Sequence, residues 1–126
     1  MRGNRAWIYC RTAGDCDIKL DAMRMQRRRL EQYAAQHNMC IVGYSEDRQT
    51  GTTIDRPGMQ KMKEAVEQYA VDAILVFSLD RLCRDTGEAI RYWQYLQDHN
   101  VCLSSMREGE ISLSRAGEIL SNLGGI

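Results

Sequence analysis

Four short apolar runs punctuate this chain: Ala6–Cys10 (AWIYC), Cys40–Tyr44 (CIVGY), Ala73–Phe77 (AILVF) and Val101–Ser105 (VCLSS). Their alternation with longer segments of helical period constrains the fold more than any other feature. Apolar runs of about four to eight residues bounded by polar turns read as strands. Between them, helices are predicted from Leu20 to about His37, from Pro57 to about Tyr69 and from Thr86 to about Asp98, with a short last helix over Ser112–Leu123. The order β-α-β-α-β-α-β-α implies an α/β domain of three layers, α/β/α. Its sheet is expected to be mainly parallel and four- to five-stranded, with right-handed crossovers.

Periodicity assigns the buried faces. Met23, Leu30, Tyr33 and His37 form the stripe of the first helix, and Met59, Met62, Ala65, Val66 and Tyr69 that of the second. Gln26 breaks the first stripe on the face that should be buried. It is either a core glutamine with a satisfied amide or part of a site. Pro57 suits the first turn of a helix, and Asp85-Thr86 supplies a cap for the third. Ala73–Phe77 contains no polar residue, as expected of a central strand covered on both faces. Ser45–Asp55 reads as a polar loop, and the aromatic group Tyr92, Trp93 and Tyr95 as core, at least in part.

Composition narrows the function classes. A chain of 126 residues suits a single domain, 1–126. No apolar run approaches membrane-spanning length and no signal-like segment opens the chain, so a cytoplasmic protein without membrane contact is expected. The five cysteines form no C-x-x-C. Cys10, Cys40 and Cys102 lie in strand-like runs and read as buried free thiols, with no disulfide framework and no metal or cofactor site expected. His37 and His99 fall at helix ends, where the helix dipole explains them. Net charge is zero, which opposes a dedicated nucleic-acid-binding module, yet residues 1–29 hold eight Lys/Arg against three Asp/Glu. Arg24, Arg27, Arg28 and Arg29 supply half of those cations, and a solvated helix face accounts for them as well as a partner does.

The polar residues with chemical potential sit where strands end or helices begin: Tyr9-Cys10-Arg11, Asp47 with Thr50-Gly51, Asp55-Arg56-Pro57-Gly58, and Leu79-Asp80-Arg81-Leu82-Cys83-Arg84-Asp85. In an open α/β sheet these positions line the mouth where ligands bind. Arginines there suit a phosphate or carboxylate. Arg81 and Arg84 are three apart and can share a helical face. Arg56 precedes a helix N-terminus, itself a favourable place for an anion. Asp47 and Asp80 can position those arginines or handle protons. One at a time, Asp80–Arg81 and Asp55–Arg56 read as surface ion pairs and caps. As a set at equivalent topological positions, they read as an anion site. A phospho-acceptor receiver fits poorly, because Arg11 stands where such a domain needs an acidic pair.

Ordered along the chain, these motifs resemble the catalytic domain of the serine site-specific recombinases: resolvases, DNA invertases and large serine integrases. The family opens on Y-x-R-V-S-T, and this chain has Tyr9-Cys10-Arg11-Thr12-Ala13. Gln26 is similar to the family's helix glutamine. Asp47-Arg48-Gln49-Thr50-Gly51 with Asp55-Arg56-Pro57-Gly58 resembles its D-x-x-S-G…D-R-P-G stretch, and Leu79 to Asp85 its L-D-R-L-x-R-D signature. The resemblance spans roughly residues 6–123.

It implies a metal-free attack on a DNA phosphodiester by a serine, a phosphoserine intermediate, and strand exchange in a tetramer. It further implies transition-state roles for Arg11, Arg56, Arg81 and Arg84, with Arg11, Arg81 and Arg84 on the DNA phosphate. Tyr9, Gln26, Asp47, Thr50 and Asp80 would support them. The partner implied is DNA, weakly held through its backbone, with a homo-dimer or tetramer in the full-length context. Ala13 occupies the position of the nucleophile. A methyl group cannot attack phosphorus, so the chain is expected to be inactive as it stands. Thr12, Cys10 and Cys16 are poor substitutes. The alternative is a non-catalytic module that assembles with itself or an active recombinase through helices near Tyr92–Leu96 and Leu113–Leu123. Ile126 falls where the family begins a long dimerisation helix, so a truncated last helix with no following DNA-binding domain is expected.

Overall fold

The computed structural model describes residues 4–12, 17–47, 57–79, 86–107 and 109–110. Its elements are β1 (Arg5–Arg11), α1 (Asp17–Gln36), β2 (Cys40–Asp47), α2 (Pro57–Glu67), β3 (Ala73–Val76), α3 (Thr86–Asp98), β4 (Cys102–Ser105) and β5 (Gly109–Glu110). They form one sheet in the order β2-β1-β3-β4-β5, parallel except for the antiparallel β4–β5 pair. The three-layer expectation holds. The last predicted helix, Ser112–Leu123, lies outside the described residues.

Strand alternation explains the two cores. Ala6, Ile8 and Cys10 of β1, with Ala73 and Leu75 of β3, face Met23, Leu30 and Ala34 of α1. Tyr9, Ile74, Val76 and Leu103 point the other way, to Met59, Met62 and Val66 of α2 and to Tyr92, Trp93 and Leu96 of α3. β1 is therefore covered on both faces and paired on both edges. At the far end from the site, the Arg5 guanidinium grips Asp72 at 2.9 and 3.1 Å and ties the starts of β1 and β3 together.

Several sequence expectations need correction. The first helix begins at Asp17 rather than Leu20, and β2 runs three residues past Tyr44, into the predicted loop. Polar Ser45 and Asp47 are nonetheless buried, because hydrogen bonds satisfy them there. Cys40 is exposed at the start of an edge strand, and Cys102 is half-buried, so only Cys10 matches the buried-thiol reading. His37 is exposed, and Tyr69 lies 66% exposed beyond α2 instead of completing its stripe.

Tyr69 has its own job. The three helices among the described residues all end in the same double hydrogen-bond motif, as in Ala70 N–H to Ala65 O and Tyr69 N–H to Val66 O. The pivot residues Asn38, Tyr69 and Asn100 take φ of 55°, 54° and 58°. Asparagine tolerates that left-handed conformation, and a bulky aromatic does not. Tyr69→Gly is therefore expected to stabilise the fold by about 0.5–1 kcal/mol in urea denaturation. A loss of stability would show that the Tyr69 ring outweighs its backbone.

Candidate functional site

β1 and β2 end side by side, with Arg11 in register with Asp47 and the Thr12 N–H donating to the Asp47 carbonyl at 3.1 Å. From β2 the chain crosses over β1 to reach β3, so strand order reverses beside β1 and opens a crevice at these strand ends.

Asp47 organises that crevice. Its carboxylate is buried and accepts three hydrogen bonds. Tyr9 Oη–H donates at 2.7 Å, Gly58 N–H to Oδ1 at 2.8 Å and Met59 N–H to Oδ2 at 3.0 Å. The two N–H groups belong to the first turn of α2 and have no carbonyl within the helix to bind. A capping carboxylate normally comes from the residue just before a helix. Here a strand end supplies it from ten residues before Pro57, and its charge faces the positive end of the helix dipole. As placed, Asp47 is a strut that pins α2 to the sheet beside Arg11.

Gly58 permits the approach. A Cβ there would lie 2.6 Å from the Glu46 carbonyl oxygen and 2.9 Å from Asp47 Oδ2. A second connection runs from the Trp7 indole N–H to Ser45 Oγ at 2.9 Å, and from the Ser45 hydroxyl to the Gly58 carbonyl at 2.8 Å. Trp7 sits at a bulge and its ring lies on Gly43, where a Cβ would come within 2.1 Å of ring carbon. Sequence reasoning placed Ser45 in a loop and gave no role to Trp7. A buried indole N–H needs an acceptor, but nothing in the spacing says which.

Gln26 reaches the same place from α1. It is 6% exposed, and its Nε2 donates to the Arg11 carbonyl at 3.3 Å, while Oε1 has no hydrogen-bond partner among the described residues. Among the described residues the amide is thus half satisfied, and it lies against the end of β1. Arg11 itself is 3% exposed. The structure thus brings Tyr9, Arg11, Gln26 and Asp47 together. Ala13, Thr50, Arg56, Asp80, Arg81 and Arg84 lie outside the described residues.

Cys10 faces away from this cluster, toward α1. Burial pushes its thiol up to about 12, partly offset by a hydrogen bond with Tyr44. Burial, then the 2.6 Å hydrogen bond to Glu46, likewise raises the Tyr44 phenol, whose ring carries the Arg27 guanidinium 4.0 Å above it. A thiol held protonated is neither nucleophile nor alkylation target. At neutral pH, Cys40 is expected to react with iodoacetamide in the folded protein, and Cys10 only after unfolding, as read by peptide mass mapping. Equal labelling of both would contradict this.

The same shift sets a pH trend. Between the ordinary thiol value of 9.0 and about 12 the folded chain retains a proton that the unfolded chain loses. Stability should therefore fall as pH rises through that window, and constant urea midpoints across it would count against a buried Cys10 thiol.

No helix among the described residues is long and apolar enough to cross a membrane. The chain matches the family described as Resolvase, N terminal domain, over residues 6–125. Its structure is similar to the N-terminal catalytic domain of TP901-1 integrase, with a TM-score of 0.77 and 25% identity over 94% of this chain and 90% of that one. It is also similar to a resolvase family site-specific recombinase from Streptococcus pneumoniae, with a TM-score of 0.75 and 24% identity over 96% and 83%. The C-terminal catalytic domain of ISC1926 TnpA, an IS607-like serine recombinase, gives a TM-score of 0.75 at 23% identity, over 94% and 78%. With a match across nearly its whole length and the fold of serine recombinase catalytic domains, this chain belongs to the resolvase family.

Proposed function

We propose that this chain is the catalytic-domain portion of a serine-type site-specific DNA recombinase that keeps the phosphate site and lacks the nucleophile. The observation that supports it most is the convergence of Tyr9, Arg11, Gln26 and Asp47, from three separate elements, on adjoining strand ends. Arg56 directly precedes Pro57, so the strut that fixes Gly58 and Met59 also sets where the chain leaves toward that arginine. In this reading Arg11, Arg56, Arg81 and Arg84 gather round the scissile phosphate of DNA and stabilise its developing negative charge. Tyr9, Gln26, Asp47, Thr50 and Asp80 hold them in position.

With serine at position 13, the hydroxyl oxygen would bond to phosphorus as the bond to the 3′ oxygen breaks. The hydroxyl proton would end on that oxygen, leaving a 5′-phosphoserine link. Ala13 offers no such atom. The test is A13S, in its native gene context, incubated with a supercoiled plasmid carrying the flanks of its own gene. A detergent-resistant protein–DNA adduct with a free 3′-hydroxyl is expected for A13S and none for the Ala13 chain. An adduct formed by Ala13 while A13S is inert would overturn the assignment.

Ala13 also favours a second reading, in which the domain acts by assembling with itself or with an active recombinase. Tyr92, Trp93 and Leu96 are buried in the core, so α3 offers less surface than its aromatic content suggests. Light scattering and co-purification with an active relative test this. A strict monomer that captures no relative would remove it.

A further inference from the structure

Trp7 and Ser45 lie beside the site and have no part in the chemistry proposed above. Ser45 is 5% exposed, and a buried hydroxyl costs free energy unless it is bonded. Here it is bonded twice. The indole N–H can only donate, so the Ser45 oxygen accepts from it at 2.9 Å and the hydroxyl proton must point elsewhere. It goes to the Gly58 carbonyl at 2.8 Å. Trp7 thus sets the direction of a relay from indole to hydroxyl to carbonyl, in which each bond polarises the next. The helix itself does not require the last of these bonds. Gly58 is the second residue of α2, and its carbonyl has a helical donor four residues on. Ser45 and Asp47 are two apart on one strand and therefore share a face. Between them they hold the C=O and the N–H of the same residue, which fixes the peptide planes on both sides of Gly58. Apolar side chains could fill this space with no polar atom to satisfy. What the relay adds is orientation.

We infer that Ser45, oriented by Trp7, is a positioning residue for Arg56. Only Pro57 separates Arg56 from Gly58, and the proline ring locks its own φ. A residue before proline is in turn biased toward extended conformations. Few soft torsions remain between the clasp and the arginine, so the orientation of Gly58 passes along the backbone to Arg56. Ser45 acts through that backbone and not by touching DNA. This role rests on the proposed place of Arg56 at the scissile phosphate.

The test is a cycle of W7F, S45A and W7F/S45A in the A13S background, in its native gene context, with the supercoiled plasmid that tests A13S. Adduct rate at saturating DNA, half-saturating DNA concentration and urea midpoint are measured for each. S45A is expected to slow adduct formation about ten- to hundredfold, the scale of a misplaced catalytic group, with half-saturation unchanged. Stability should behave differently. S45A removes the acceptor of the indole only where the indole is present, so it should lower the urea midpoint in the Trp7 chain and barely in W7F. The rate should fall in both. A rate that tracks the urea midpoint across the cycle marks a relay that only stabilises, and overturns the inference. A loss confined to half-saturation does the same. An A13S adduct with an unchanged rate in S45A would sink this role alone. No adduct from A13S would remove the catalytic reading, and this role with it.

Discussion

Asp47→Ala should lower the unfolding free energy by about 4 kcal/mol and the melting temperature by on the order of 10–15 °C. The carboxylate is buried and receives the Tyr9 hydroxyl and the Gly58 and Met59 N–H groups. Alanine removes the acceptor that all three donors use at this buried position. Each orphaned donor costs about 1–3 kcal/mol, less what local relaxation recovers. Loss of the cap alone accounts for roughly 1 kcal/mol of the total. Asp47→Asn retains one acceptor oxygen and should fall between the two. Urea denaturation followed by circular dichroism measures both. A change below about 0.5 kcal/mol for Asp47→Ala, the range of ordinary surface substitutions, would show that α2 does not depend on the strut.

Gly58→Ala attacks the same joint from the other side and should cost about 2–3 kcal/mol. The new methyl group would meet the Glu46 carbonyl oxygen at 2.6 Å and its carbon at 2.8 Å. Those are backbone atoms of a strand paired to β1, so they cannot swing aside as a side chain could. The helix must move instead, which stretches the bonds to Asp47 and to the Ser45 hydroxyl. Because both substitutions break one joint, their combined effect should be less than the sum. Full additivity in the double variant would mean that Gly58 acts through something other than Asp47.

The parts of the fold that were legible are those whose signal is apolar and local. The strands at Ala6–Cys10 and Ala73–Phe77 declare themselves because both faces of each are covered. β2 was read short because its C-terminal half is buried through hydrogen bonds, and Ser45-Glu46-Asp47 carries no apolar mark. β5, only two residues long, is below any periodic signal. Tyr69 misled because its backbone conformation, not its side chain, is what the turn uses.

Gln26 stands out by interrupting a stripe, and it lies buried beside the end of β1. Asp47 was marked by resemblance, but its role as a strut was not readable. Its partners are a strand tyrosine and the N–H groups of a helix beyond an intervening loop, and no spacing rule links them.

The central place of β1 also sets an order of events during synthesis. This strand is made first, yet one of its edges pairs with β3, Ala6 beside Ala73. Until β3 has left the ribosome, that edge stays open to any other extended segment. Ile74, Leu75 and Val76, all fully buried, bring the middle of both cores at one stroke when they arrive. A nascent chain halted before Ala73 would hold a strand pair and two helices with no β3 to close them. The domain should thus fold late and in one step, and its fragments should depend on chaperones in a way the finished domain does not.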